Sequence, residues 1–269
     1  MTKNTMTLVT GGTGKTGRRV VEKLTAMDRP VRIGTRKGGV PFDWEDRSTW
    51  APALAGTSAA YLAYYPDLAV PGAGEAIAAF SELAVSTGTR RLVLLSGRGE
   101  EEAQHAEELL ARSGAEWTVV RCSWFNQNFT ENYLLEPIQE GHLVLPAGDV
   151  GEPFVDADDI ADVAVAALTQ DGHAGEIYEM TGPRLLTFAQ AAAEIGAAVG
   201  REIGYTQIPV EAYVEHVPAE YTDFLTYLFT TVLDGRNAHL GDGVQRALGR
   251  EPRDFADFAR ESAAAGIWG

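Results

Sequence analysis

Cysteine occurs once in this 269-residue chain, at Cys122. A single thiol excludes an internal disulfide and any zinc cluster built on cysteines. It follows the apolar run at residues 117–120, where a small buried thiol is the expected reading. Lysine is also scarce. Lys3, Lys15, Lys23 and Lys37 are the complete set, so no reaction that needs a lysine past position 37 is open to the chain. The five histidines, His105, His142, His173, His216 and His239, are scattered, and none forms an HxH or HxxxH pair near a carboxylate, so no metal is expected. No apolar run approaches the roughly 18 residues of a spanning helix, and residues 1–7 lack the basic-then-apolar layout of a secretory leader. No membrane partner is expected, and the cytoplasm is the expected compartment. Cationic side chains are outnumbered 22 to 38, for a net charge of −16. Such a chain repels a nucleic-acid backbone unless a basic face is segregated, and none stands out.

Hydrophobic residues make up 45% of the chain and charged ones 22%, which fits a globular protein and excludes disorder or a coiled coil. Residues 6–10 form a short β-favouring run before a cluster of glycines. Val20, Val21 and Leu24 then share one helical face. Pro30 stops that helix, and Val31 opens a second strand that ends near Thr35, Arg36 and Lys37. A strand, helix and strand in about thirty residues is the size of a βαβ crossover. Further apolar strands are expected at 59–64, 92–95 and 117–120, and helices at 74–87, 100–113 and 158–168. Thr187 followed by Gln190 is a capping box that opens a helix to Val199. Past Tyr205 the pattern is mostly helical, with many aromatics.

Near-continuous apolar strands separated by helices imply a parallel sheet covered on both faces. The expected fold is therefore α/β, a doubly wound parallel Rossmann sheet with a smaller, mostly helical C-terminal substrate lobe. Composition marks no sharp boundary. The expected division is a nucleotide-binding domain at 1–150 and the smaller lobe at 151–269, with some sheet elements returning to the first domain.

The glycine cluster carries the first chemical signal. Gly12-x-Gly14-x-x-Gly17 follows a strand, precedes a helix and starts a βαβ unit, the context a dinucleotide fingerprint requires; Gly11 adds a second possible reading of the spacing. Such a turn needs a residue that accepts positive φ, a pyrophosphate needs backbone approach without a Cβ, and the last glycine lets helix pack on strand. Thr13, Lys15 and Thr16 complete the loop whose helix N-terminus would face the phosphates. A P-loop is excluded by spacing, because the glycine it needs five residues before Gly14 is Val9.

At the end of the second strand, where an NAD-selective site carries a carboxylate for the ribose hydroxyls, this chain has Arg36 and Lys37. A guanidinium pairs with a 2′-phosphate in a fork, so the expected cofactor is NADP(H). Ser96, at the end of a central strand, is a candidate to contact the nicotinamide or a substrate, with a helix N-cap as the competing role. His105 is a candidate acid, against the commoner surface histidine. Trp124, Phe125, Asn128 and Phe129 follow another strand end and suit a pocket for a planar organic substrate, as does Tyr65. Tyr64 is a candidate for the same crevice on the cofactor side. Trp124 and Phe125 have the alternative of closing the core over the sheet.

The loop at residues 10–17, Phe42-Asp43-Trp44 with Trp50 and Leu54, and Leu94-Leu-Ser-Gly-Arg-Gly-Glu100 together resemble the NmrA-like group of atypical short-chain dehydrogenase/reductase proteins. So do Trp117-Thr-Val-Val-Arg121, the 123–129 segment, Pro153-Phe-Val-Asp156 with Asp159-Ile-Ala161, and Gly249-Arg-Glu-Pro252. The resemblance runs over nearly the whole chain. It implies NADP(H) bound with Arg36, with Asp43 and Trp44 near the adenine and the 123–129 segment near the nicotinamide. Similar proteins reduce quinones, azo compounds or iminium groups, and others are cofactor-sensing regulators without turnover. The chain departs from the usual short-chain dehydrogenase pattern in having no Tyr/Lys pair on the helix after the 92–95 strand, which also weakens a sugar-nucleotide epimerase reading. The expectation is a reductase, monomer or homodimer, passing hydride from NADPH to a small conjugated C=O, C=N, azo or quinone acceptor. A non-catalytic NADP(H) sensor is the alternative.

Overall fold

The computed structural model of the chain describes residues 6–36 and 38–269. β1 (Met6–Thr10) leads through the glycine turn into α1 (Lys15–Ala26), whose Thr16, Gly17, Val20 and Leu24 are buried. β2 (Val31–Thr35), the two-residue β3 (Val40–Pro41), the short α2 (Trp50–Leu54) and β4 (Thr57–Leu62) follow. α3 (Ala73–Ser86), β5 (Arg91–Gly97), α4 (Glu101–Ala111) and β6 (Glu116–Cys122) continue the alternation. The chain then forms α5 (Asn128–Glu131), α6 (Leu135–Glu140) and β7 (His142–Leu145) before α7 (Ala157–Thr169) and β8 (Glu176–Met180). The remainder is α8 (Phe188–Val199), β9 (Gly204–Gln207), α9 (Val210–Val214), α10 (Ala219–Tyr227), α11 (Gly243–Leu248) and α12 (Phe255–Ala264).

The chain divides into two compact units. One holds the chain to Cys122, Ala157–Met180 and Asp242–Arg250; the other holds Ser123–Asp156, Thr181–Gly241 and Glu251–Gly269. A single cut at 150 is therefore replaced by several crossings. The physical reason is β8, which pairs along β6 from Thr118↔Glu176 to Cys122↔Met180 and so must belong to the first unit.

In that unit, among the described residues, seven strands pair in the order β3-β2-β1-β4-β5-β6-β8, and every pairing is parallel. This is the expected doubly wound sheet. Side chains alternate across it, as the strand period demands. Leu8, Leu62 and Leu94 join α3, α4, Trp50 and Phe80 in one core cluster. Tyr61 points the other way and reaches Thr16 of α1. The strands expected from sequence are apolar runs; β8, EIYEM, is broken by two glutamates and lies at the sheet edge, so that criterion does not select it.

The second unit is mostly helical, with β7 and β9 forming a small parallel pair. Its core is aromatic: Phe188 meets Trp124, Phe129 and Phe154 at ring-centroid separations of 5.2, 6.1 and 5.0 Å. The capping box at Thr187 and Gln190 forms as the sequence predicts, each side chain bonding the other's backbone amide. Arg184 just before it forks onto Glu194 and Asp254, tying α8 to the start of α12. Among the described residues no helix is long and apolar enough to cross a membrane. Phe188→Ala, which empties the centre of this aromatic cluster, is expected to destabilise the protein by about 3–5 kcal/mol in a denaturant titration; a loss below 1 kcal/mol would show that the rings repack without it.

Candidate functional site

The loop between β1 and α1 is shaped by contacts that admit no side chain. Gly11 carries the positive φ of 61° that the turn requires. A Cβ on Gly17 would collide with the carbonyl oxygen of Gly11 and stand 2.8 Å from its carbonyl carbon. A Cβ on Gly12 would stand 2.8 Å from Ile33. Gly17 thus brings α1 hard against the turn. Gly14 N–H closes the turn onto Gly11 O at 2.8 Å. Gly14 is also the N-cap of α1; no side chain caps the helix and no acidic residue lies in its first turn. An uncapped helix start with a small, exposed approach fits a phosphate, since the first-turn amides need an acceptor and the helix dipole favours negative charge.

Gly11, Thr13 and Gly14 line a cleft of ≈ 300 Å³ with Arg36, Asp43, Trp44 and Tyr65 among its other walls. The other loop residues face inward. Gly12 and Gly17 are buried, and the Thr16 hydroxyl accepts from Tyr61 at 2.9 Å, so its side chain serves the core rather than the cleft. Lys15 begins α1 and offers its carbonyl to Arg19 at 2.8 Å, outside the cleft wall. Arg36 is exposed, with its guanidinium carbon 4.2 Å from the centre of the Tyr65 ring. Among the described residues no carboxylate pairs with it. Lys37 lies outside the described residues.

The two tyrosines sit otherwise than expected. Tyr65, expected with the substrate, is 56% exposed beside Arg36 on the phosphate-loop cleft. Tyr64, expected with the cofactor, is half-buried against Trp44 at 5.1 Å and packs on the core. The reason is alternation: consecutive residues leaving β4 point to opposite sides. Trp44 presents an edge to the cleft, but most of its ring is in the core with Phe42 and Phe80, and its indole N–H donates to Ala63 O at 2.9 Å. Asp43 is half-buried and turns its Oδ1 to the backbone of Glu45.

At the C-terminal ends of β5, β6 and β8 lies a set of buried and half-buried charges. The Ser96 hydroxyl donates to Glu107 at 2.6 Å and is 5% exposed. It is not a helix cap, since Glu100 holds that position. Glu107 also takes Arg121 through Nε at 2.9 Å and through its second oxygen. Arg121 reaches on to Glu179 at 2.9 Å, and buried Arg98 donates to the same carboxylate at 3.1 Å. Hydrogen bonds and charge from Arg121 and Arg98 hold the Glu179 carboxyl below the usual glutamate range, although burial opposes them. Glu100 has the opposite fate. Burial, with Asp67 and Glu107 nearby, pushes its carboxyl up to about 8. His105 lies exposed on α4 with its ring toward Gly74 of α3, not at the cleft wall.

In the second unit, the segment after Cys122 is pinned by buried carboxylates. Glu152 accepts from the Trp124 amide at 3.2 Å, and Asp156 accepts from Gln127 at 2.9 Å. Trp124, Phe125 and Asn128 are half-buried. Phe129 is fully buried among Phe154, Phe188 and Phe255, so it is core and not a pocket wall. Glu100, Asp67, Glu107, Arg121, Glu179 and Glu152 were not singled out as site residues from sequence. A strand-end position was the available signal for Glu100, within the Ser-Gly-Arg-Gly-Glu stretch after β5.

The parallel sheet, the glycine turn and the uncapped helix after β1 define a Rossmann-type dinucleotide-binding protein. Comparison with known proteins makes this specific. A profile described as NAD(P)H-binding matches residues 11–171, and that of the NmrA-like family matches residues 103–259. The chain belongs to this NmrA-like family of NAD(P)H-binding proteins. It is 34% identical to the uncharacterized oxidoreductase YesF of Bacillus subtilis, over 98% of this chain and 97% of that one. It is 30% identical to an NAD(P)H azoreductase of Xenophilus azovorans, over 97% and 99%. Among solved structures, the NADPH complex of the Escherichia coli quinone oxidoreductase QOR2 superposes with a TM-score of 0.77, at 20% identity over 95% of this chain and 99% of that one.

Gly17→Ala is expected to cost about 1–3 kcal/mol of stability, because the methyl group meets backbone that cannot move aside cheaply. NAD(P)H affinity, followed by nucleotide fluorescence, should fall with it; affinity and melting temperature equal to the parent would mean that α1 does not need this close approach.

Proposed function

We propose that the chain is an NADPH-dependent reductase that passes hydride to a small planar organic acceptor: a quinone, an imine or iminium, an azo compound or a conjugated carbonyl. The observation that carries the cofactor choice is Arg36, an exposed guanidinium without a carboxylate partner among the described residues, on the wall of the phosphate-loop cleft. It is the arginine that lines this cleft, and a 2′-phosphate satisfies its fork of donors. Gly11, Thr13 and Gly14 would cradle the pyrophosphate at the start of α1, Tyr65 would back the Arg36 guanidinium, and Asp43 and the edge of Trp44 would border the adenine. The reduced nicotinamide, when bound, supplies a hydride. Trp124, Phe125 and Asn128 are the proposed acceptor contacts. Their support is half-burial on a segment held by Glu152 and Asp156, together with kinship to a protein named for azo reduction.

A panel of quinones, azo dyes, cyclic iminium salts and conjugated carbonyls, incubated with protein and NADPH, should show loss of absorbance at the reduced-nicotinamide band for at least one class. Tight NADPH binding with no acceptor consumed would support a cofactor sensor instead. Arg36→Ala should weaken NADPH by about ten- to a hundredfold while changing NADH affinity far less, since a charge-assisted hydrogen-bonded pair contributes roughly 1.5–3 kcal/mol. Equal losses for both nucleotides would remove the NADP(H) assignment.

A further inference from the structure

Glu100 follows β5 and sits at the N-cap of α4, yet its carboxyl makes no capping bond. The residue is 8% exposed, its backbone carbonyl accepts from Gln104, and its carboxyl takes no hydrogen bond among the described residues. Its carboxyl instead folds back against Gly97, the last residue of β5, into the space that any Cβ at that position would fill. The ionisable groups around it are Asp67 from the loop after β4, Glu107 from α4 and the buried Cys122 thiol at the end of β6. Arg98, on its own loop, directs its guanidinium to Glu179. Burial among carboxyl groups, with that cation engaged elsewhere, keeps a proton on Glu100 in neutral solution. Burial raises Asp67 in the same direction.

The location gives that proton a use. β4 and β5 lie next to β1 in the sheet, in the order β1-β4-β5, and all three run parallel. Asp67 and Glu100 therefore lie beyond the same carboxyl edge of the sheet as the phosphate loop, the edge where ligands of such sheets bind. Of the two other candidates for proton transfer, Ser96 sits at the same end of β5 with its hydroxyl proton engaged by Glu107, and His105 lies exposed beside α3.

We propose that Glu100, held against Gly97 at the end of β5, is the proton donor of the reduction, with Asp67, from the loop after β4, acting as a positioning residue. This rests on the reductase reading above. For a conjugated ketone, the carbonyl carbon gains the hydride of the reduced nicotinamide and the C=O π pair moves to oxygen. The oxygen then takes the Glu100 proton, and the O–H pair stays behind on the carboxylate. Water returns a proton to Glu100 for the next turnover. The acceptor is reduced by two electrons and the nicotinamide oxidised by two. An N-alkylated iminium cation, by contrast, becomes a neutral amine on gaining hydride and takes no proton.

That difference sets the test. Glu100→Gln keeps the shape and removes the proton. Its kcat on a conjugated ketone should fall by about a hundredfold or more, with a deficit at least tenfold larger than on an N-alkylated iminium acceptor. Because the donor must be protonated, wild-type kcat on the ketone should decline as pH rises through about 8, and that decline should vanish in Glu100→Gln. A readout without turnover is carbon NMR of protein labelled at the glutamate carboxyl: one signal should titrate near 8, be missing in Glu100→Gln and move to lower pH in Asp67→Asn. Equal deficits on the two acceptors, an unchanged pH profile, or glutamates that all titrate below 6 would overturn the donor role and leave the reductase reading standing. Wild type that reduces the iminium but no ketone also overturns it. If wild type consumes no acceptor at all, the reductase reading itself fails and takes the donor role with it.

Discussion

The close approach of α1 to the turn after β1 is the constraint on which the nucleotide site depends. Gly17 lies so near the Gly11 carbonyl that a single methyl group cannot enter. That contact fixes the height at which the first turn of α1 meets the sheet, and therefore where its unbonded amides point. Tyr61 reinforces it from β4 by donating to Thr16 of α1. Thr16 illustrates the division of labour within the loop. Gly11, Thr13 and Gly14 face the cleft, while Gly12, Thr16 and Gly17 face the core and hold the first group in place.

Charge in this chain is distributed by the same logic. Carboxylates outnumber cations, so most arginines find partners: Arg121 bridges Glu107 and Glu179, Arg98 takes Glu179, Arg184 forks onto Glu194 and Asp254, and Arg250 holds buried Asp159. Pairs of this kind, half-buried for the most part, add little net stability, because desolvation and solvent screening offset most of the attraction. Breaking one is costly, which makes them effective at fixing one arrangement of strand ends. Arg36 and Arg47 lie instead over neutral rings, Tyr65 and Trp50, and of the two only Arg36 lines the phosphate-loop cleft.

The fold was legible because each central strand is an apolar run that cannot be satisfied except between two layers of helices, and because Pro30 and the glycines punctuate the first crossover. β3, β7, β8 and β9 were not, being short, alternating or peripheral. The loop was legible through spacing alone. What spacing does not report is which way a side chain turns once packed. Thr16, Phe129 and Tyr64 read as contacts and pack on the core, while Tyr65, one peptide unit on, lines the phosphate-loop cleft. Several motifs that carry the family resemblance prove to be scaffold: Asp156 holds Gln127 and so the segment that contains Trp124, while Gly249 ends α11 with a φ of 68°. Glu100 was hidden for another reason. A glutamate at a helix start reads as a complement to the helix dipole, and only burial without a partner reveals that it does something else.

The missing downstream lysine and the buried glutamate are connected through chemistry. Arginine, the cation this chain uses nearly everywhere, does not release its proton in the accessible pH range, so it cannot stand in for a lysine that tunes or relays one. With the candidate histidine, His105, exposed beside α3, a further source of an acid for neutral solution is a group whose ordinary range lies elsewhere and is moved by its surroundings. Carboxyls are abundant here, and burial beside other carboxyls moves them upward. Arg98 and Arg121 neutralise Glu107 and Glu179 but leave Glu100 without a cationic partner. The same network that fixes the strand ends thus withholds a counter-ion from the one glutamate folded against Gly97, and that withholding is what keeps its proton available.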